Sequence, residues 1–192
     1  MNTWYLLCGS GCLKRKPRRF YFLGRPIVLF KTANGEPAAL LDRCSHRGAP
    51  LSEGRVEGNC VTCPYHGWSF DPSGQCTSLP GSPGPCPGHL GVEAFDCRES
   101  QGFLWIRDKT ADDTGPCPIR GLGEPGFSNL SWSLEMQTTL EDAAENFLDP
   151  THTHYVHSGL IRTEGTRKPV QAQVRSIEGG VEAEYHEGQQ NG

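Results

Sequence analysis

The sequence predicts a mainly β protein: an all-β first part of about a hundred residues, then an α+β continuation. Three observations carry that prediction. Short apolar, β-prone runs recur through the first part, each bounded by turn signals. The 24 glycines and 15 prolines make up about a fifth of the 192 residues, above the ~12% of average chains but below the level that signals disorder. The best helix pattern, Leu140–Leu148, comes late and is followed by two more strand patterns, which is an α+β beginning.

Phe20–Phe22 and Ile27–Phe30 are the first strand candidates. Ala33-Asn34-Gly35-Glu36 carries the Asn-Gly signal of a tight hairpin, with Ala38–Leu41 as its return strand. That strand runs directly into Arg43-Cys44-Ser45-His46. Val61–Thr62 leads into Cys63-Pro64-Tyr65-His66, and Trp68–Phe70 leads out. Asp71-Pro72-Ser73-Gly74 is a turn. Leu79–Gly91, with four prolines and four glycines, reads as a surface loop, and Phe103–Ile106 as a closing strand. Thr110–Ser128 is again broken by turn formers, so the expected organisation is a domain over 1–112, a linker over 113–128 and a second domain over 129–192. In the second domain Ser131–Gln137 reads as a strand. Ala143, Ala144 and Glu145 make Leu140–Leu148 a helix. Val170–Val174 and Val181–Tyr185 read as strands joined through Glu178-Gly179-Gly180. No internal repeat is visible.

The formal net charge is −4, from 18 basic and 22 acidic residues, which gives no reason to expect a nucleic-acid partner. No apolar run reaches membrane-spanning length, and Met1–Cys12 lacks the basic region of a secretory signal. The expectation is a cytoplasmic protein with reduced thiols. Of the nine cysteines, Cys8, Cys12, Cys60, Cys76, Cys86, Cys97 and Cys117 are then ordinary thiols, although Cys60 makes a C-x₂-C with Cys63 and competes as a ligand. The basic run Lys14–Arg19 is either a solvated loop or a docking patch for an acidic electron donor.

The chemistry is concentrated in Cys44/His46 and Cys63/His66. Each segment offers one thiolate and one imidazole, on what read as two loop tips. Two thiolates can hold one iron of a [2Fe–2S] cluster and two neutral imidazoles the other, the ligand split of a Rieske centre. Structural zinc also takes Cys₂His₂, but usually pairs like with like as C-x₂₋₄-C and H-x₃₋₅-H. Here each half is mixed.

Arg43-Cys44-Ser45-His46-Arg47-Gly48 and Cys63-Pro64-Tyr65-His66-Gly67-Trp68 resemble the two cluster loops of Rieske non-haem iron oxygenases. The resemblance runs from the Trp4-Tyr5 pair to the histidines after residue 150. High-potential Rieske proteins carry a cysteine where Ala49 and Tyr65 stand, and a serine where Trp68 stands. The resemblance therefore implies no loop disulfide, fewer hydrogen bonds to the cluster sulfurs, and a lower potential.

A second motif is Glu145-Asn146-Phe147-Leu148-Asp149-Pro150-Thr151-His152-Thr153-His154-Tyr155-Val156-His157. Non-haem Fe(II) oxygenases hold iron with two histidines and one carboxylate on one face. His152 and His157 would point about 140° apart on one regular helix, so the backbone must bend before or between them. Asp149-Pro150 supplies a break. The segment is similar to the catalytic-domain signature of the same family. That similarity implies His152 and His157 as iron ligands, Asp149 as the electron-transfer bridge to a Rieske histidine of a neighbouring subunit, and Asn146 as a neighbour of the iron. His154 lies outside the signature and is the decoy. The family's third, carboxylate ligand lies far downstream, and Glu178, Glu182, Glu184 and Glu187 do not match it. The expectation is a Rieske domain followed by only the opening of a helix-grip (START-like) catalytic domain, with weak or no iron at His152/His157 and apolar faces left uncovered.

The implied function is the oxygenase component of a Rieske system. A reductase or ferredoxin supplies electrons through the [2Fe–2S] cluster to a mononuclear Fe(II). There O₂ is activated for hydroxylation or oxidative demethylation of a small organic, aromatic-type substrate, in a homotrimer without membrane or nucleic-acid partners. A Rieske-type ferredoxin, carrying electrons without catalysis, is the alternative.

Overall fold

The computed structural model describes residues 3–82, 84–149, 151–160, 163, 165, 168–177 and 180–188. They divide into two compact units, 1–130 and 131–192. The first unit holds ten strands: β1 (Tyr5–Gly9), β2 (Arg18–Phe22), β3 (Arg25–Lys31), β4 (Pro37–Leu41), β5 (Arg55–Glu57), β6 (Cys60–Thr62), β7 (Ser69–Phe70), β8 (Cys76–Ser78), β9 (Ala94–Ser100) and β10 (Phe103–Asp108). They form a six-stranded sheet in the order β1-β10-β9-β4-β3-β2 and a four-stranded sheet in the order β5-β6-β7-β8, antiparallel throughout.

Ile27, Val28, Leu29 and Phe30 of β3 are all fully buried. A strand shows that continuous apolar run only when both of its faces are covered. Val28 and Phe30, with Ala38 and Leu40 of β4, face Val61 of β6 and Phe70 of β7 across a core between the two sheets. Ile27 and Leu29 face the other way, onto Phe22, Phe95, Leu104 and Ile106. That second core closes because the larger sheet curls. Tyr5 on one edge strand meets Phe22 on the other, ring centroids 5.3 Å apart and edge to face. The Asn-Gly hairpin forms as its sequence predicts, with Gly35 at φ 86° and its N–H donating to the Thr32 carbonyl.

The expected linker lies against the first unit. Trp4 Nε1 donates to the Thr114 carbonyl, and the Gln101 side chain bonds the backbones of Ile119 and Leu122. Arg107 of β10 is fully buried. It meets Asp96 of β9 at 3.0 Å, the carbonyl of Asp112, and the face of Trp4 at 4.5 Å.

The second unit contains α1 (Leu140–Leu148) and an antiparallel hairpin of β11 (Val170–Ile177) with β12 (Gly180–Glu187). Thr139 caps α1 by accepting the Asp142 N–H. The turn expected at Glu178-Gly179 lies outside the described residues. Ser131–Gln137, expected as a strand, is not one. The sequence alternates apolar Trp132, Leu134 and Met136 with polar residues, yet the whole segment is exposed, Trp132 and Leu134 by more than three-quarters. A strand, however, exists through its ladder, and no described strand pairs with this segment. No residue of α1 is buried, and Phe147, Val174 and Val181 are exposed too. These are the uncovered apolar faces that the sequence leads one to expect.

Candidate metal centres

The two cysteine loops close in the same way. Cys44 N–H donates to the Ala49 carbonyl and Gly48 N–H to the Cys44 carbonyl. Cys63 N–H donates to the Trp68 carbonyl and Gly67 N–H to the Cys63 carbonyl. Each loop is thus a five-residue turn that reverses at a glycine with positive φ, 71° at Gly48 and 74° at Gly67. A Cβ on Gly67 would also come 3.0 Å from Pro80 Cγ. Gly67→Ala is therefore expected to lower stability by about 1–2 kcal/mol, read as a shifted denaturation midpoint, and to loosen any bound metal at the second loop.

The loops place their donors by type. Cys44 and Cys63 are buried, 3% and 2% exposed, and close enough for each thiol to feel the other. His46 and His66 are exposed at the tips, their ring centroids 4.6 Å apart. Trp68 stacks on His46 at 4.4 Å with 3° between the planes, and Tyr65 leans on His66 at 4.0 Å. These contacts hold both imidazoles in place. The Ser45 hydroxyl is turned away, donating to the Leu90 carbonyl at 2.6 Å.

The electrostatics suit metal binding. Burial pushes the Cys44 thiol up to about 11, while backbone N–H groups of His46 and Arg47 aim at its sulfur and oppose the rise. Without a metal this thiol keeps its proton at neutral pH, so loading releases that proton. Desolvation, with His66 and Arg47 next, holds His46 below its ordinary value. That favours the neutral imidazole that a metal requires.

A sulfur pair inside and a nitrogen pair outside fit two iron atoms, one per pair, as in a [2Fe–2S] cluster with His₂/Cys₂ ligation. A single zinc ion needs all four donors around one point. Among the described residues no three Cys, His, Asp or Glu side chains gather closely enough for one ion. Cys60 stands apart on β6, its sulfur 3.5 Å from the Thr77 hydroxyl.

Trp68 is packed against the buried core and offers no hydroxyl to the cluster sulfurs, and the Ser45 hydroxyl is engaged with Leu90. A redox titration is expected to give a midpoint near the low end of the Rieske range, about −150 mV. A clearly positive midpoint would contradict this.

In the second unit α1 ends at Leu148 and Asp149 is extended, φ −82°, ψ 109°. Pro150 lies outside the described residues. The Asp149 carboxylate accepts from the Thr151 N–H at 2.7 Å and the Thr151 hydroxyl at 2.6 Å. Those bonds hold its pKa below the usual carboxylate range. A short 3₁₀ turn, His152–His154, follows. This bend brings the His152 and His157 rings to 5.4 Å. His152 Nδ1 sits 2.9 Å from the Asp149 carbonyl oxygen. A carbonyl only accepts, so that nitrogen carries the proton and Nε2 is left for a metal, the usual arrangement of a ligating histidine. His154 is the buried one of the three, 3% exposed. Asn146 is exposed on α1. Glu182, Glu184 and Glu187 lie on β12, and Glu178 falls outside the described residues.

Residues 3–95 match the Rieske [2Fe-2S] domain family. The chain is 33% identical over 166 residues to the oxygenase component of dicamba O-demethylase from Stenotrophomonas maltophilia, covering 85% of this chain and 49% of that protein. It is 34% identical over 177 residues to methylxanthine N1-demethylase NdmA of Pseudomonas putida, covering 88% and 50%. The solved structure of NdmA superposes with a TM-score of 0.79 at 30% identity, covering 96% of this chain and 58% of that one. The chain thus spans about half the length of these curated relatives. No described helix is long and apolar enough to cross a membrane.

Proposed function

We propose, because this chain belongs to the Rieske non-haem iron oxygenases, that it serves as the electron-accepting part of an oxygenase component. The observation that carries this reading is the buried Cys44/Cys63 pair beneath the exposed His46/His66 pair, on two loops closed alike. Cys44 and Cys63 would hold one iron, and His46 and His66 the other. When bound, the cluster supplies one-electron transfer from a reductase or ferredoxin toward a mononuclear Fe(II) site, where O₂ serves hydroxylation or oxidative demethylation of a small organic substrate.

The chain's own residues arrange that transfer. The sulfur pair lies inside, away from water. The imidazole edges lie outside, where a partner reaches them, and the Trp68 ring fixes one of those edges. His152 and His157 would supply two mononuclear ligands, with the carboxylate ligand coming from elsewhere in the protein. Asn146 would stand beside that iron. Asp149, held ionised by Thr151, would accept a hydrogen bond from His46 or His66 of a neighbouring subunit in a head-to-tail trimer, since such heterologous contacts close into rings. The residue spans 1–112 and 129–192 would be the two working parts, and the cytoplasm their place.

The experiment is Asp149→Ala in the oxygenase at the full length of its relatives. Both metal sites are expected to stay loaded while turnover falls on the order of 100-fold. Normal turnover would remove Asp149 from the path. The His152/His157 pairing favours the oxygenase over a simple Rieske ferredoxin, because a carrier has no use for a second iron site.

A further inference from the structure

Cys8 and Cys12 lie outside the two cluster loops, on and just after β1. Their sulfurs are 2.9 Å apart, about 0.9 Å beyond a disulfide bond of ~2.05 Å. Cys8 sits on β1 opposite Leu104, where the pairing with β10 shifts register after Leu6. Cys12 ends the short 3₁₀ turn Ser10–Cys12 that follows β1. Both are half-buried. Burial, and then the bond to Cys12, pushes the Cys8 thiol up to about 12.

Cys12 also lines a groove of about 1230 Å³, together with Lys14, Arg15, Lys16, Arg18 and Lys31. Among the described residues no carboxylate lines it. Arg18 Nη1 donates to the Cys12 carbonyl at 3.2 Å, tying the basic run to the cysteine turn. Lys31 ends β3, at the end of the β3–β4 hairpin remote from Cys44. The five residues of β4 intervene, a length of ~17 Å. The groove's chemistry is a cationic wall beside a thiol pair.

We propose that Cys8 and Cys12 form a thiol–disulfide exchange site for an anionic low-molecular-weight disulfide, of the class of oxidised glutathione, which the cationic groove delivers to Cys12. The Cys12 thiolate attacks one sulfur of the bound disulfide. A Cys12–ligand bond forms, the ligand's own S–S bond breaks, and one thiolate leaves. Cys8 then loses its proton to solvent, more readily as pH rises, and its thiolate attacks Cys12 sulfur. The Cys8–Cys12 bond forms and the second thiolate leaves. The protein loses two electrons and two protons, and both reside on the two released thiols. Cys8 is already in place, so the second step is intramolecular with a high effective concentration. The closed bridge pins the turn from which the basic run departs.

The test uses the full chain with its cluster bound, exposed to oxidised glutathione. Remaining thiols are then alkylated, and peptides are mapped by mass. Cys8 and Cys12 are expected in one bridged, unalkylated peptide, formed faster as pH rises. In Cys8→Ser a mixed disulfide is expected to accumulate on Cys12. Lys14→Glu with Arg15→Glu is expected to slow reaction with oxidised glutathione by about tenfold while leaving the rate with neutral 2-hydroxyethyl disulfide unchanged. Continued alkylation of both cysteines after exposure would overturn the proposal, as would a bridge from Cys12 to Cys97, whose thiol lies close enough to feel Cys12. Equal slowing with both disulfides would remove the groove's part in it.

Discussion

Cys63→Ser is expected to give a colourless chain that retains neither iron nor acid-labile sulfide. Cys63 is buried beside Cys44, so water does not take its place. An alcohol is a far weaker iron ligand than a thiolate. Substitutions around a metal site typically cost ~10–100-fold in affinity, and losing a direct ligand exceeds that. The loop itself should survive. Its closing bonds, Cys63 N–H to the Trp68 carbonyl and Gly67 N–H to the Cys63 carbonyl, are backbone to backbone. Circular dichroism should therefore keep its β signature while the visible absorption vanishes. Cys60→Ser is the matched control. Cys60 sits three residues away with its sulfur on Thr77, and its replacement should leave colour and iron content unchanged. A bleached Cys60→Ser protein would overturn the ligand assignment.

Arg107→Met is expected to destabilise the first unit by about 3 kcal/mol. Arg107 is fully buried and joins β10 to β9 through Asp96. It also joins β10 to the following segment through Asp112 and packs under Trp4. Removing it leaves two carboxylates without their cation and Trp4 without its partner. Asp96 and Asp112 retain partial access to water, with side chains 24% and 37% exposed, which keeps the loss at the lower end for broken buried pairs. For a domain of this size the shift in Tm is about 10 °C. Asp96→Asn in the Arg107→Met background should recover part of the loss, because it removes the stranded charge. A variant that unfolds with the wild type would show that β9 and β10 hold together without this ion pair.

The candidate donors were legible because the chemistry of a metal centre dictates residue types at short spacing. Cys44/His46 and Cys63/His66 stand out in any reading, as does the β3–β4 hairpin with its Asn-Gly turn. What the spacing does not carry is which donors face inward. The burial of both sulfurs follows from Leu51, Val61 and Phe70 packing around them, and the stacking of Trp68 on His46 follows from how the two loops meet. Neither is local. Strand β9 is not legible in the sequence because Asp96, Arg98 and Glu99 make it look like a loop. It is a strand because it lies between β4 and β10, and Arg107 and Asp113 take up its charges. Strand β1 was hidden by Gly9 and its register shift. The opposite error fell on Ser131–Gln137, where a clean alternation has no partner strand to make it real. Cys8 and Cys12 read as ordinary thiols because a C-x₃-C spacing alone says nothing. Only the turn at Ser10–Cys12 brings their sulfurs together.

The most direct measurement is low-temperature electron paramagnetic resonance of the dithionite-reduced chain. A rhombic signal with an average g below that of all-thiolate [2Fe–2S] clusters, integrating to one spin per two irons, is the result expected of sulfur on one iron and nitrogen on the other. A silent, colourless protein with one zinc per chain, or a signal of the all-thiolate kind, would contradict it.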